Sequence, residues 1–191
     1  ETGTIVNNES SEIIRMFNSA FDAFAEHPER DYYPAPLCDE IDAVNDRVFN
    51  TVNIGVYKSG FARSQAAYDE AVTNLFDTLD WLEARLSNQR YLVGDQITEA
   101  DWRLFTTLLR FDPVYHGHFK CNIRRLIAYP SLWNYTRDLY QVPGVDSTIN
   151  NPQIKIHYYG SHETVNPTGI VPVVPTIDFL APHNRADIKD A

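Results

Sequence analysis

Cysteine, methionine and positive charge are all scarce in this chain of 191 residues, and each shortage narrows what it is able to do. It holds two cysteines, Cys38 and Cys121, and one methionine, with 16 Lys and Arg against 26 Asp and Glu. Two distant thiols in unlike contexts do not form the disulfide framework of a small secreted domain, so a reducing compartment is expected. A formal net charge of −10 repels nucleic acid phosphates and anionic lipid, whose binding rests on clustered Lys and Arg. No apolar run approaches the roughly 20 residues of a membrane-spanning helix. The start has neither the basic residues nor the apolar core of a signal peptide, and the sequence reads as cytoplasmic. Also missing are a Cys-x-x-Cys pair, a Ser-His-Asp set, a phosphate loop, a dinucleotide fingerprint and any internal repeat. The first residue is Glu1 and not Met, which sets an expectation of polypeptide upstream.

What is present belongs to an ordinary globular protein, with 43% hydrophobic and 22% charged residues, so disorder is not the default. Thr4, Ile5 and Val6 have strand character, and Asn7 and Asn8 break it. A strand of that length needs a sheet that these residues do not contain. From Ser11, the apolar positions Ile13, Ile14, Met16, Phe17, Phe21 and Phe24 recur at helical spacing, which predicts a buried helix face. Pro28, Pro34 and Pro36 mark residues 28–36 as a linker. Beyond it the pattern is helical throughout. Ile41, Val44 and Val48 mark one helix; Leu75, Phe76, Leu79, Leu82 and Leu86 mark a longer one, which Ser64 caps. Thr98 and Asp101 have capping-box spacing, flanked by Ile97 and Trp102 as a hydrophobic staple. Further helices are expected over 121–128, 131–141 and 147–159. The tail from Asn166, with Pro167, Pro172, Pro175 and Pro182, is expected to run extended.

Two groups of residues suit a ligand. A turn at Glu9 and Ser10 that passes straight into a helix offers free backbone N–H groups and the positive end of the helix dipole to an anion. Ser10 or Ser11 equally serves as an ordinary cap. The second group is a set of tyrosines at breaks or ends of helices. Tyr57 follows Asn53-Ile54-Gly55-Val56, Tyr115 follows Arg110-Phe111-Asp112-Pro113-Val114, and Tyr158 lies in His157-Tyr158-Tyr159-Gly160. A phenol stays protonated at neutral pH and donates to an oxyanion or an aromatic hydroxyl, although half-buried tyrosines are also common packing residues. His116, His118 and Cys121 lack a fourth ligand at a plausible spacing, so no metal is expected. Cys38 and Cys121 lie in no context that stabilises a thiolate, and both read as passive.

These pieces match a family. Residues 4–17 resemble the last strand and helix of a thioredoxin-like glutathione-binding domain. The stretches 51–62, 110–115 and 166–170 resemble those of glutathionyl-hydroquinone reductases, the Xi-class glutathione transferases, and the box from Thr98 to Asp101 is a broader transferase signature. The resemblance implies a mainly α fold. Residues 1–27 would end the thioredoxin-like domain, 28–36 link it, 37–165 form an all-helical C-terminal bundle and 166–191 a Pro-containing tail. It implies glutathione as co-substrate, no metal, and a homodimer. Glu9 and Ser10 would hold the γ-glutamyl group of glutathione, while Tyr57, Tyr115 and Tyr158 would bind the hydroxyls of a glutathionyl-hydroquinone. The family's nucleophilic cysteine has no counterpart here, so this chain alone is expected to be inactive and to need the N-terminal segment of the same protein. Two other readings stay open, namely a non-catalytic binding or assembly module and a transferase that conjugates glutathione.

Overall fold

A computed structural model describes residues 3–173 and 177–188. Among them eight α-helices are joined by short 3-10 and π turns, and no strand occurs. The longest, α4 (Gln65–Leu86), is where the sequence pattern is strongest. Leu75, Leu79, Leu82 and Leu86 stack on one stripe and are fully buried. The Ser64 side chain caps it, accepting from the Ala67 amide at 3.2 Å. Around α4 pack α3 (Gly55–Gly60) and α7 (Pro130–Tyr140), while α2 (Cys38–Val48) packs on α5 (Glu99–Arg110). Ile41, Val48, Leu104, Leu108, Leu132 and Leu139 fill the space between them. Short α6 (His116–His118) and terminal α8 (Asn151–Ser161) close one end of the bundle.

The capping box at the start of α5 forms deep in this core. Asp101 accepts from the Thr98 amide at 2.7 Å and its hydroxyl at 2.9 Å, and also from the Leu92 amide and the Tyr135 hydroxyl. Four donors on one buried carboxylate offset its loss of water.

Several expectations fail for physical reasons. Residues 4–6 are irregular and Ile5 and Val6 stand in solvent, because no neighbouring strand completes a ladder. Helix α1 (Ser10–Phe17) buries none of its residues, and Phe17, Phe21 and Phe24 remain exposed. No helix runs over 121–128, where Lys120 adopts φ of 57° and turns the chain, and the Asp112 carboxylate then takes the Leu126 amide at 2.6 Å. Only a 3-10 turn, Leu126–Ala128, follows. The break expected between α2 and α3 is a π turn, Phe49–Asn53, that keeps the helix continuous. Nor does the tail merely run over the surface. Phe179 wedges between Trp133 and Tyr140, and Arg185, 1% exposed, donates to the Leu86, Gln89 and Arg90 carbonyls. Pro175 and Glu1 lie outside the described residues.

Candidate functional site

Two π turns shape the site. The first carries Asn53, whose amide donates to the Thr107 hydroxyl at 2.6 Å and the Arg103 carbonyl at 3.2 Å, tying the turn to α5. The second, Phe111–Tyr115, contains Pro113, which has no N–H to give to a regular α ladder. Each turn delivers a phenol, Tyr57 just past the first and Tyr115 at the end of the second. Tyr158 comes from α8.

The three hydroxyls meet. Tyr158 Oη lies 2.6 Å from Tyr57 Oη and 2.8 Å from Tyr115 Oη. Beneath them sits Phe119, with its ring centroid 5.3 Å from Tyr57, 5.6 Å from Tyr115 and 6.0 Å from Tyr158. Phe119 is itself pressed on the α3 backbone at Gly60, where a Cβ would fall 2.1 Å from its ring. Burial pushes the Tyr158 phenol up to about 12 and Tyr115 further still, so neither ionises near neutrality. Three O–H groups linked by two hydrogen bonds leave one proton free for a ligand. Tyr57, half-buried, is the most open of the three.

The phenols floor a cleft of about 560 Å³. Ser10, Ser11 and Ile14 of α1 form one rim, and Trp102, Arg103, Thr106, Thr107 and Arg110 of α5 form the facing wall. Thus the structure brings Ser10 to the same cleft as Tyr57, Tyr115 and Tyr158. Glu9 does not line it. It is the exposed N-cap of α1, its amide donating to Asn7 Oδ1 at 2.8 Å. The sequence reading missed the α5 wall, although Trp102, Thr106 and Arg110 follow one another at four-residue steps on the face away from Leu104 and Leu108.

Helix α1 is held against the bundle by a buried carboxylate. Glu99 accepts from Arg15 Nε at 2.9 Å and Nη2 at 3.0 Å, and from Asn45 at 2.9 Å. Arg15 also pairs with Asp42 at 2.5 Å.

Neither cysteine is set up as a nucleophile. Burial pushes the Cys121 thiol up to about 12. Cys38 does open α2, but its thiol donates to the Tyr33 and Pro34 carbonyls at 3.7 and 3.5 Å. Among the described residues no group of three or more His, Cys, Asp or Glu is placed to hold a metal. His118 pairs instead with His162, Nε2 to Nδ1, at 3.0 Å.

A helical bundle with a cleft between its first turns and α5 has the form of the glutathione transferase C-terminal domain, and residues 65–138 match the family described as the glutathione S-transferase C-terminal domain. Glutathionyl-hydroquinone reductase YqjG of Escherichia coli K12 is 54% identical over 182 residues, which are 95% of this chain and 55% of that protein. Glutathionyl-hydroquinone reductase PcpF of Sphingobium chlorophenolicum is 60% identical over 171 residues, covering 90% and 54%. The glutathione-bound structure of YqjG aligns with a TM-score of 0.92 over 96% of this chain and 59% of the other at 54% identity. The Xi-class transferase of Natrialba magadii aligns with a TM-score of 0.93 at 49% identity, over 96% and 56%. The chain is a homologue of the Xi-class glutathione transferases, the glutathionyl-hydroquinone reductases, and spans a little over half the length of the relatives it matches.

Proposed function

We propose that the intact protein reduces glutathionyl-hydroquinones to hydroquinones at the expense of glutathione, with this chain supplying the phenol-binding wall and part of the glutathione site. The observation that carries the reading is the meeting of Tyr57, Tyr115 and Tyr158 hydroxyls within 2.6–2.8 Å on the floor of a cleft whose rim is Ser10.

The chemistry is the one that the family resemblance implies. A thiolate attacks the thioether sulfur of the conjugate. The sulfur–aryl carbon bond breaks, the ring carbon takes a proton, and hydroquinone leaves while the thiol becomes a mixed disulfide with glutathione. A second glutathione thiolate then attacks that disulfide, releasing oxidised glutathione and restoring the thiolate. Cys121 is buried and protonated, and the Cys38 thiol is engaged with carbonyls, so the attacking sulfur belongs to polypeptide outside these residues. The exposed apolar side chains Ile5, Val6, Phe17 and Phe24 support the packing of a further domain there. Within the cleft the phenols orient the substrate ring by hydrogen bonds to its oxygens. Ser10 and the first amides of α1 receive a carboxylate of glutathione, with Glu9 beside its ammonium.

The test uses the intact protein and a glutathionyl-hydroquinone, following hydroquinone and oxidised glutathione together. Tyr57→Phe combined with Tyr158→Phe is expected to lower kcat/KM by roughly ten- to a hundredfold, the loss of one to two hydrogen bonds to the bound ring. Wild-type turnover by the double variant would remove the phenols from the site.

A further inference from the structure

Helix α8 presents Tyr158 to the cleft, yet it buries only Tyr158 and Tyr159. What fixes its end is a second layer beneath the phenols. His162, the C-cap of α8, stacks on Phe119 at 5.6 Å and 17° and meets the edges of Phe61 and Tyr158. Its Nδ1 is the 3.0 Å partner of His118 Nε2, and the His118 ring in turn lies 4.6 Å from Tyr159 and 6.5 Å from Tyr158. His118 follows Tyr115 by one helical turn. The imidazole bond therefore joins the segment that carries Tyr115 to the helix that carries Tyr158, beside the Tyr115–Tyr158 hydroxyl pair itself and the Tyr159 hydroxyl, which donates to the Val114 carbonyl at 3.5 Å.

We propose that His118 and His162 are positioning residues for the phenol site, their mutual hydrogen bond holding Tyr158 in reach of Tyr57 and Tyr115. The inference rests on the proposed reductase reading for its effect on turnover, but not for its effect on Tyr158 itself. An N–H···N bond between imidazoles requires a lone pair on one ring, so it survives with both rings neutral and is lost when both are protonated. Their surroundings keep them neutral. Burial lowers both, with His162 and Lys120 acting further on His118 and His157 on His162, all cations when charged. The facing groups on α8 are the protonated phenols of Tyr158 and Tyr159, while Glu163, next along the chain, is exposed to solvent.

The experiment takes the intact protein with tyrosine labelled by carbon-13 at Cζ, the Tyr158 resonance being identified by its loss in Tyr158→Phe. His162→Phe keeps a ring for stacking and removes the bond, and His118→Asn serves as an independent variant should His162→Phe fold poorly. Expected are a displaced Tyr158 resonance in each variant and a KM for the glutathionyl-hydroquinone raised about five- to tenfold, one neutral hydrogen bond's worth, with KM for glutathione unchanged. His162→Asn, which retains a side-chain hydrogen-bonding group, should recover part of both. An unmoved resonance in the folded variants overturns the proposal, and so does a moved resonance with an unchanged KM. A moved resonance in a protein without any reductase activity upholds the positioning role and sinks the reductase reading alone.

Discussion

At the scale of single residues, His118 departs from its ordinary range in a direction that acid will reveal. Burial, His162 and Lys120 lower it from 6.5 to about 4. Above 6.5 the folded and unfolded chains both carry it neutral. Between 6.5 and about 4 the unfolded chain takes up a proton that the folded chain refuses, so stability falls as the solution is acidified through this window. Below it the loss is complete. The melting temperature of wild type should therefore drop more steeply from neutrality to about pH 4.5 than that of His118→Asn, which lacks the titrating ring. Parallel curves for the two proteins would show that His118 titrates normally. Tyr57, Tyr115 and Tyr158 stand out in the sequence by their places at helix breaks and ends as well as by the family resemblance, and the structure brings their hydroxyls together. Glu9 was singled out with Ser10, and only Ser10 lines the cleft.

At the scale of elements, legibility followed how long a pattern persists. The stripe on α4 runs from Ala71 to Leu86, about four turns, and the run around Thr98 has both a cap and an apolar face, so both are plain in the sequence. The π turns were not, because a single extra residue shifts the helical phase without erasing its apolar rhythm. Gly55 and Pro113 read as breaks, where the chain in fact continues as a widened helix. The expected helix over 121–128 failed because the buried Asp112 carboxylate captures the Leu126 amide, a partner fourteen residues upstream that periodicity does not register. Close approach between elements is equally invisible in a local pattern. Gly60 touches Phe119 so tightly that Gly60→Ala must push the ring away from α3. That substitution is expected to cost about 1–3 kcal/mol in denaturant unfolding, the usual range for overpacking, and to weaken hydroquinone binding while the helical circular dichroism stays unchanged. An alanine variant as stable as wild type would mean that Phe119 is free to move.

At the scale of the whole molecule, the tail is a fastening. Arg185 reaches back nearly a hundred residues to the Leu86 carbonyl that ends α4, at 2.7 Å, and to the Gln89 and Arg90 carbonyls just beyond it, at 2.5 and 2.6 Å. Nothing in a Pro-containing tail announces this, since the partners are main-chain groups that any residue possesses. Arg185→Ala strands buried carbonyls and should cost about 2–3 kcal/mol, read as a melting temperature lower by roughly 4–10 °C at this size. Trypsin would then cut the tail early, and a tail as resistant as wild type would contradict the fastening. A comparable economy governs the other end of the molecule. Glu99 gathers Arg15, Asn45 and Arg103 at the root of the α5 wall, and with Asp42, the second partner of Arg15, it ties α1 to that wall. In the proposed site this electrostatic strut, three residues from Trp102, would gauge the spacing between the sulfur-peptide end and the ring end of a conjugate, and neutralising it would let the jaws of the molecule drift apart.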